Sequence, residues 1–403
     1  MIIKTVKHVG GVKMKKNILY VHYGDNWIRG SETCLINLMD SLDNQRFVPV
    51  LWTNCIPLLR HVQMQGIKTE FSDFPLIAGW LAPRFDLLGW WSLVKQAITI
   101  IRAHKIDAIH VNSGAPCQWM CLAARLCRIP LVTQLHSDYQ LRDRFTLGLH
   151  MSPHIICVSH AISQGIIEDG YPKSKLNVIH NGVRESHQQP VSIRENFGIP
   201  SQSVVLISVG SLIVRKGYDL IIQALQHLDT TADVHLVIVG DGEEHQNLKQ
   251  LAESHGLADR VHFAGEQHNV SDWLEGGADA YVSGARDEAF GLTIAEAGLA
   301  QLPVIVPRVG GIPEFITHDV SGLLYAADNA ILELGSAISQ IVNDETLRQR
   351  LSQNLYHHAS NHLTVAANTA SIQSVYEKIS VEPTSHTVPM ANGFKPLIRW
   401  AFK

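Results

Sequence analysis

Apolar positions along this chain fall into short continuous runs separated by amphipathic stretches. The first run, Asn17 to Tyr23 (NILYVHY), is bounded by Lys15-Lys16 before and Gly24-Asp25 after, and a run of that length reads as a buried strand. Leu35, Leu38, Met39 and Leu42 then recur at three-to-four spacing, predicting a helix over 32–42, followed by the strand-like FVPVLWT at Phe47 to Thr53. Alternation continues through Ala108 to Val111, a helix over 118–127, PLVTQLH at Pro130 to His136 and HIICVS at His154 to Ser159. A polar stretch from Glu185 to Pro190 interrupts the pattern. A second series follows: VVLISVG (Val204 to Gly210), a helix over 219–228, VHLVIVG (Val234 to Gly240), VHFAG (Val261 to Gly265), AYVSG (Ala280 to Gly284), a helix over 292–299, and PVIVP (Pro303 to Pro307). One further helical stretch is expected over 346–378. Strands alternating with helices predict parallel sheets covered on both faces.

The length of 403 residues exceeds what one hydrophobic core sustains, so two α/β domains are expected. The boundaries read as a tail over 1–13, with Met14 as a second candidate start, an N-terminal doubly wound domain over 14–187, a C-terminal one over 188–380, and a tail over 381–403. Ligands of such sheets bind beyond the carboxyl ends of the strands, so a site in a cleft between two facing sheets is the expectation.

Charge divides unevenly. Residues 1–185 carry 20 Lys and Arg against 13 Asp and Glu, a surplus of +7, and the remainder carry 13 against 24, giving the net −4 of the whole chain. The basic half could meet an anionic membrane surface, or each half could simply solvate its surface with a different sign. No basic run of the kind that binds nucleic acid is present. No apolar run reaches the roughly 18 to 20 residues of a membrane span, and Lys4 and Lys7 interrupt a signal-peptide pattern, so a cytoplasmic protein, or one at the cytoplasmic membrane face, is expected. Six cysteines without paired CxxC spacing read as free thiols rather than a zinc site or a disulfide framework.

The densest chemistry is Glu288-Ala289-Phe290-Gly291-Leu292-Thr293-Ile294-Ala295-Glu296, two carboxylates bracketing a Phe-Gly step between a strand and a helix. Backbone N–H groups of Phe290, Gly291 and Leu292 at a helix start offer an anion site, and each carboxylate can accept sugar or ribose hydroxyls. By itself such a pair is more often an acidic first turn complementing the helix dipole. Its neighbours alter that balance: Ile179-His180-Asn181-Gly182-Val183, Arg215-Lys216-Gly217, Val239-Gly240-Asp241-Gly242, Gly310-Gly311-Ile312-Pro313-Glu314 and Ser321-Gly322-Leu323-Leu324 occur in that order.

This ordered set, over roughly residues 17–330, resembles the family-4, retaining glycosyltransferases of the GT-B fold. The resemblance implies two Rossmann-like domains and transfer of a sugar from a nucleotide-diphosphate donor to an acceptor hydroxyl with retention at the anomeric carbon. It implies Lys216 as the cation at the donor phosphates with Arg215 assisting, Glu288 at the transferred sugar, Glu296 at the ribose, Gly30 with its backbone facing the phosphates, and His136 near the reacting sugar. No protein nucleophile is needed if the leaving phosphate takes the acceptor's proton. The chain contains no Asp-x-Asp pair, and the resemblance implies catalysis without a metal or other cofactor. Two positions depart from the family pattern: Ser211 stands where an arginine is common and Arg29 where a glycine is common, so Arg29 or Arg215 is the candidate for the displaced positive charge.

Three other readings compete. A nicotinamide oxidoreductase is prompted by Gly240-Asp241-Gly242, but position 245 is His rather than the third glycine of the fingerprint. A nucleotide-sugar epimerase shares the architecture, and a non-catalytic nucleotide-sugar binder would follow if the departures disabled transfer. For the acceptor, Trp80, Trp90 and Trp91 among Leu76, Ile77, Leu81, Leu87 and Leu88, with Arg84 nearby, read either as a lipid- or acceptor-facing loop or as core aromatics. A glycan or lipid-linked acceptor in cell-surface polysaccharide synthesis is the expected setting by analogy.

Overall fold

The computed structural model describes residues 15–78, 85–185, 189–228, 230–231, 233–382 and 390–396. The expected N-terminal tail, Met14, Trp80, Leu81, Arg84 and most of the expected C-terminal tail lie outside the described residues.

Two parallel sheets carry the structure. The first contains β1 (Lys16–His22), β2 (Phe47–Thr53), β3 (Lys68–Phe71), β4 (Ala108–Val111), β5 (Leu131–Leu135), β6 (His154–Cys157) and β7 (Leu176–Val178), in the order β3-β2-β1-β4-β5-β6-β7. The second contains β8 (Val204–Val209), β9 (Val234–Val239), β10 (Val261–Gly265), β11 (Ala280–Val282), β12 (Val304–Pro307) and β13 (Leu323–Tyr325), in the order β10-β9-β8-β11-β12-β13. Every expected strand is present. In each sheet the winding reverses once, beside β1 in the first and beside β8 in the second, which makes both doubly wound. Helical crossovers cover both faces, so the inner strands read as mostly apolar runs rather than alternating ones; β9 is buried at all six positions, whereas the edge strand β3, KTEF, is exposed at both its ends.

By contacts the chain forms two compact units, one of residues 1–134, 141–155 and 373–403 and the other of 135–140 and 156–372. In the first, Trp52, Phe74 and Trp119 form an aromatic cluster with centroid separations of 4.9 to 6.2 Å. The chain's last long helix contributes Tyr376 to this unit, fully buried, with its hydroxyl 2.7 Å from His110 Nδ1 and 3.1 Å from the Tyr20 hydroxyl. The core of the second unit gathers Leu206, Leu236, Ile238, Val282, Ile305 and Leu334, each 0% exposed, and each such side chain contributes about 1.5–3 kcal/mol by burial.

Two departures from the expected elements have clear causes. The single helical stretch over 346–378 is two helices, Glu345–His362 and Val365–Val381. The extended Gly182-Val183 segment enters the break: Val183 N donates to Leu363 O at 2.8 Å and Val365 N to Val183 O at 3.2 Å. A Cβ at Gly182 would collide with the Thr364 backbone, so the break depends on that glycine. Apolar periodicity runs across the interruption and hides it. Of the expected Trp-rich stretch, Leu76 and Ile77 are irregular, whereas Leu87, Leu88, Trp90 and Trp91 open a helix, Leu87–Ala103, capped by Asp86, whose carboxylate accepts from Gly89 N at 2.8 Å. Within it Trp90 donates to Gln118 O at 3.2 Å, and Trp91 remains 44% exposed. All six cysteines are free thiols, as expected.

Candidate active site

Winding reverses in the second sheet between β8 and β11, and such a switch point leaves a crevice beyond the carboxyl ends of the strands. The loops leaving these two strands carry Lys216 and Glu288. After β8 the chain passes Gly210 to Ile213 and closes a 3-10 turn, Val214–Lys216. Gly217 ends that turn at φ +63°, and a Cβ there would collide with the carbonyl of Gly284, so the two loops pack backbone to backbone.

Lys216 Nζ donates to Glu288 Oε2 at 2.7 Å, and both side chains are mostly buried, with exposures of 21% and 15%. Of the three ammonium donors this uses one. Basic neighbours brace the pair. Arg215 donates to Asp287 O at 2.9 Å, and its own carbonyl accepts from Arg286 N at 2.9 Å. Arg286 bonds both carboxylate oxygens of Asp219, at 2.8 and 2.7 Å, and also Val214 O at 2.8 Å. Arg215 thus holds the loop beside Glu288. Arg29 lies in the first unit, its guanidinium 4.2 Å from the Trp27 ring centroid.

Glu288 lies in the loop between β11 and the helix Leu292–Leu299, as its sequence context predicts. Gly291 precedes that helix at φ +104° and leaves the Leu292 and Thr293 N–H groups without a protein acceptor among the described residues. The Phe290 side chain is a core residue, 2% exposed, against His180 at 5.4 Å and Phe315 at 4.9 Å. Only its backbone is available to a ligand.

Glu296 projects from the same helix. Both carboxylates act on the buried Tyr281 phenol, which burial first, then Glu288 and Glu296, hold above its ordinary value. Tyr281 in turn shares a hydrogen bond of 2.8 Å with the Thr293 hydroxyl. The Glu296 carboxyl has no hydrogen-bond partner among the described residues, and burial pushes it up to about 7. It is protonated or ionised according to small changes near neutral pH, which suits a group that can accept or donate to hydroxyls.

Lys216, Arg215, Glu288, Phe290, Gly291, Leu292 and Glu296 therefore lie on two adjoining loops and the helix that follows. Gly30 belongs to the first unit, at the first position of the helix Gly30–Asp40. There Glu32 accepts from Arg29 N at 3.0 Å and from His22 at 2.8 Å. Its carboxyl, raised by burial but lowered more by His22 and the backbone, falls to about 2. His136 follows β5, half-buried, in the short stretch 135–140 that groups with the second unit. Sequence reasoning gave no role to Arg286, Tyr281 or Glu314, although Glu314 was in plain view within the Gly-Gly motif. A concavity of about 540 Å³ bordered by His227, Leu332 and Asn343 contains none of these residues.

Residues 28–187 match the family described as Glycosyltransferase Family 4, and residues 191–358 match Glycosyl transferases group 1. The chain belongs to the family-4 glycosyltransferases. This glycosyltransferase is 28% identical over 285 residues to N-acetyl-alpha-D-glucosaminyl L-malate synthase of Bacillus anthracis, covering 67% of this chain and 73% of that one. It is 32% identical over 198 residues to the lipopolysaccharide core biosynthesis glycosyltransferase LpsD of Rhizobium meliloti, covering 49% of this chain and little more than half, 56%, of the other. Its fold matches that of HepE from Anabaena, solved in complex with UDP and glucose, with a TM-score of 0.76 at 22% identity over 90% of this chain and 100% of that one. The architecture is GT-B, and the enzyme is a glycosyltransferase.

The raised Glu296 carboxyl gives a stability signature. Between about pH 4.5 and 7 the folded protein keeps a proton that the unfolded chain has released, so this group's contribution to stability falls as pH rises through that window and levels off above it. Denaturant unfolding at pH 5 and pH 7.5 should show a decline about 1–3 kcal/mol larger in the wild type than in Glu296→Gln. Identical pH dependence in the two proteins would contradict a raised carboxyl.

Proposed function

We propose that this glycosyltransferase moves a sugar from a nucleotide-diphosphate donor to an acceptor hydroxyl with retention of configuration. The observation that carries this reading is the Lys216–Glu288 pair at the β8/β11 switch point. An ammonium with two donors to spare beside the open first turn of Leu292–Leu299 is suited to a diphosphate. The Glu288 carboxylate, acceptor-only when ionised, is suited to the hydroxyls of a sugar attached to it. Support also comes from HepE, a protein of the same fold crystallised with UDP and glucose.

In this mechanism the acceptor hydroxyl approaches the anomeric carbon from the face the diphosphate leaves. The anomeric carbon–oxygen bond to the phosphate breaks, the bond to the acceptor oxygen forms, and the acceptor's proton passes to the departing phosphate oxygen. Lys216 and the helix-end N–H groups stabilise the charge growing on that phosphate, a contribution of about 1.5–3 kcal/mol for each charge-assisted bond. Glu296 binds the ribose, and Gly30 and His136 take the phosphate-facing and sugar-facing roles that family membership assigns to their positions. No divalent ion has a part in the scheme. Positioning supplies most of the remaining acceleration.

Relatives named for lipopolysaccharide core biosynthesis and for N-acetylglucosaminyl transfer to phosphatidylinositol support a glycan or lipid-linked acceptor. No helix among the described residues is long and apolar enough to cross a membrane. Surface contact is supported by the start of the helix Leu87–Ala103, where Phe85, Leu87, Leu88 and Trp91 are exposed at 76%, 61%, 86% and 44%. Exposed Lys95 and Arg102 continue the face of Leu88 and Trp91 at helical spacing. Apolar groups followed by cations on one face suit an anionic bilayer surface.

Purified protein offered uridine, guanosine and adenosine diphosphate sugars should be stabilised against heat by one of them and release its nucleotide slowly. Glu288→Ala and Lys216→Ala should each lower release by about 100-fold. A donor that stabilises and turns over equally in all three proteins would contradict the assignment. For the membrane face, Leu88→Asp should reduce co-sedimentation with phosphatidylglycerol vesicles severalfold while thermal stability stays near that of the wild type; unchanged co-sedimentation would remove that surface from the account.

A further inference from the structure

Glu314 is the residue whose environment the mechanism does not explain. It closes the short 3-10 turn Ile312–Glu314 after Gly310-Gly311, and its side chain is 16% exposed. Three donors converge on its carboxylate. Ala161 N reaches Oε1 at 2.9 Å, His160 N reaches Oε2 at 2.8 Å, and His180 Nε2 lies 3.0 Å from Oε2. The two backbone donors belong to the first turn of the helix His160–Glu168, where a carboxylate also meets the positive end of the helix dipole. One glutamate thus joins a turn, a helix start and the His-Asn-Gly segment.

Two lines of contact run from this junction to Glu288. The first is backbone. Gly311 N donates to Glu288 O at 3.0 Å, and at Gly310, φ +51°, a Cβ would collide with that same carbonyl. Glu288 therefore rests directly on the turn that Glu314 closes. The second is aromatic. Phe290, two residues beyond Glu288, packs between the His180 ring at 5.4 Å and the Phe315 ring at 4.9 Å. His180 is held by Glu314 on one side, and its carbonyl accepts from Asn368 Nδ2 at 2.6 Å on the other. Phe315 is the next residue after Glu314. The segment from Glu288 to Phe290 is seated at both ends by groups that Glu314 fixes.

We infer that Glu314 is a positioning residue for Glu288: a carboxylate clamp that sets where the donor-site loop lies without itself touching substrate. The inference rests on the reading of Glu288 as the group at the transferred sugar. A carboxylate is required because it accepts at both oxygens, whereas a glutamine would turn an N–H toward one of the three donors and leave that donor unmet. Small displacements of a group at a reacting centre reduce turnover by large factors while leaving remote binding contacts intact.

The test is a double-mutant cycle in the full chain: wild type, Glu314→Gln, Glu288→Gln and the double variant. Nucleotide release is measured from the nucleotide sugar that the wild type turns over, with calorimetric affinity for the free nucleoside diphosphate and the melting curve alongside. Glu314→Gln should unfold cooperatively, bind the free nucleoside diphosphate within about twofold of wild type, and lose on the order of 10- to 100-fold in turnover. In the Glu288→Gln background the same substitution should cost no further turnover, because its effect passes through Glu288. Equal loss in both backgrounds, or nucleotide affinity falling in step with turnover, would overturn the clamp. Undiminished turnover by Glu288→Gln would instead overturn the donor-site reading on which the clamp rests. If Glu314→Gln does not fold, His180→Asn, which removes one of the three bonds, is read through the same cycle with the same two outcomes.

Discussion

Backbone packed against backbone is the constraint on which the site depends. Beyond the carboxyl ends of β8, β11 and β12, three loops meet backbone to backbone at their glycines. Gly217 lies against Gly284, and Gly310 and Gly311 lie against Glu288 and Ala289. A single Cβ at any of these contacts would force the loops apart. Their closeness lets Lys216, from the loop after β8, reach Glu288, from the loop after β11, at 2.7 Å. Positive φ at Gly217, Gly291 and Gly310 then sets the direction in which each loop leaves. The chemistry-bearing side chains are few, and their placement is a property of the backbone beneath them.

Electrostatics follow from the same geometry. The half of the sequence that contains the candidate donor site is the acidic one, −11 against +7 for the other. Overall charge therefore does not favour the proposed anionic donor; local arrangement has to. Arg286 is spent on Asp219, and Arg215 on the carbonyl of Asp287. Lys216 retains two donors beyond its bond to Glu288 among the described residues. Glu288 holds the lysine in one place, and in the proposed site a donor phosphate would compete with it. A half-buried pair of this kind is weak evidence for stability but good evidence for orientation.

Much of this was legible in the sequence because parallel strands buried on both faces are continuous apolar runs. All the strands expected from such runs are present, and the order of glycine-containing motifs placed Lys216 and Glu288 between strand and helix, Gly291 at the helix start and Glu296 within the helix. What stayed hidden has physical reasons. The break at Leu363-Thr364 is imposed by Gly182-Val183, some 180 residues away, and leaves no mark in local periodicity. The helix Leu87–Ala103 was obscured because Trp90, Trp91, Leu87 and Leu88 are adjacent apolar residues, only some of which turn inward, so its opening turn lacks a clean amphipathic pattern. The inward direction of the Phe290 ring could not be read from a Phe-Gly step. The role of Glu314 depends on donors 134 to 154 residues away, which no spacing rule connects.

The central claim is that the Lys216–Glu288 pair exists to hold a nucleotide-diphosphate sugar rather than to brace two loops. Exchanging the partners, Lys216→Glu with Glu288→Lys, keeps an ion pair in the same place but moves the cation to the other loop. The swapped protein should melt within a few degrees of the wild type and bind the donor at least about 100-fold more weakly in calorimetric titration. A swapped protein that binds and turns over the donor like the wild type would show that the pair is only a brace.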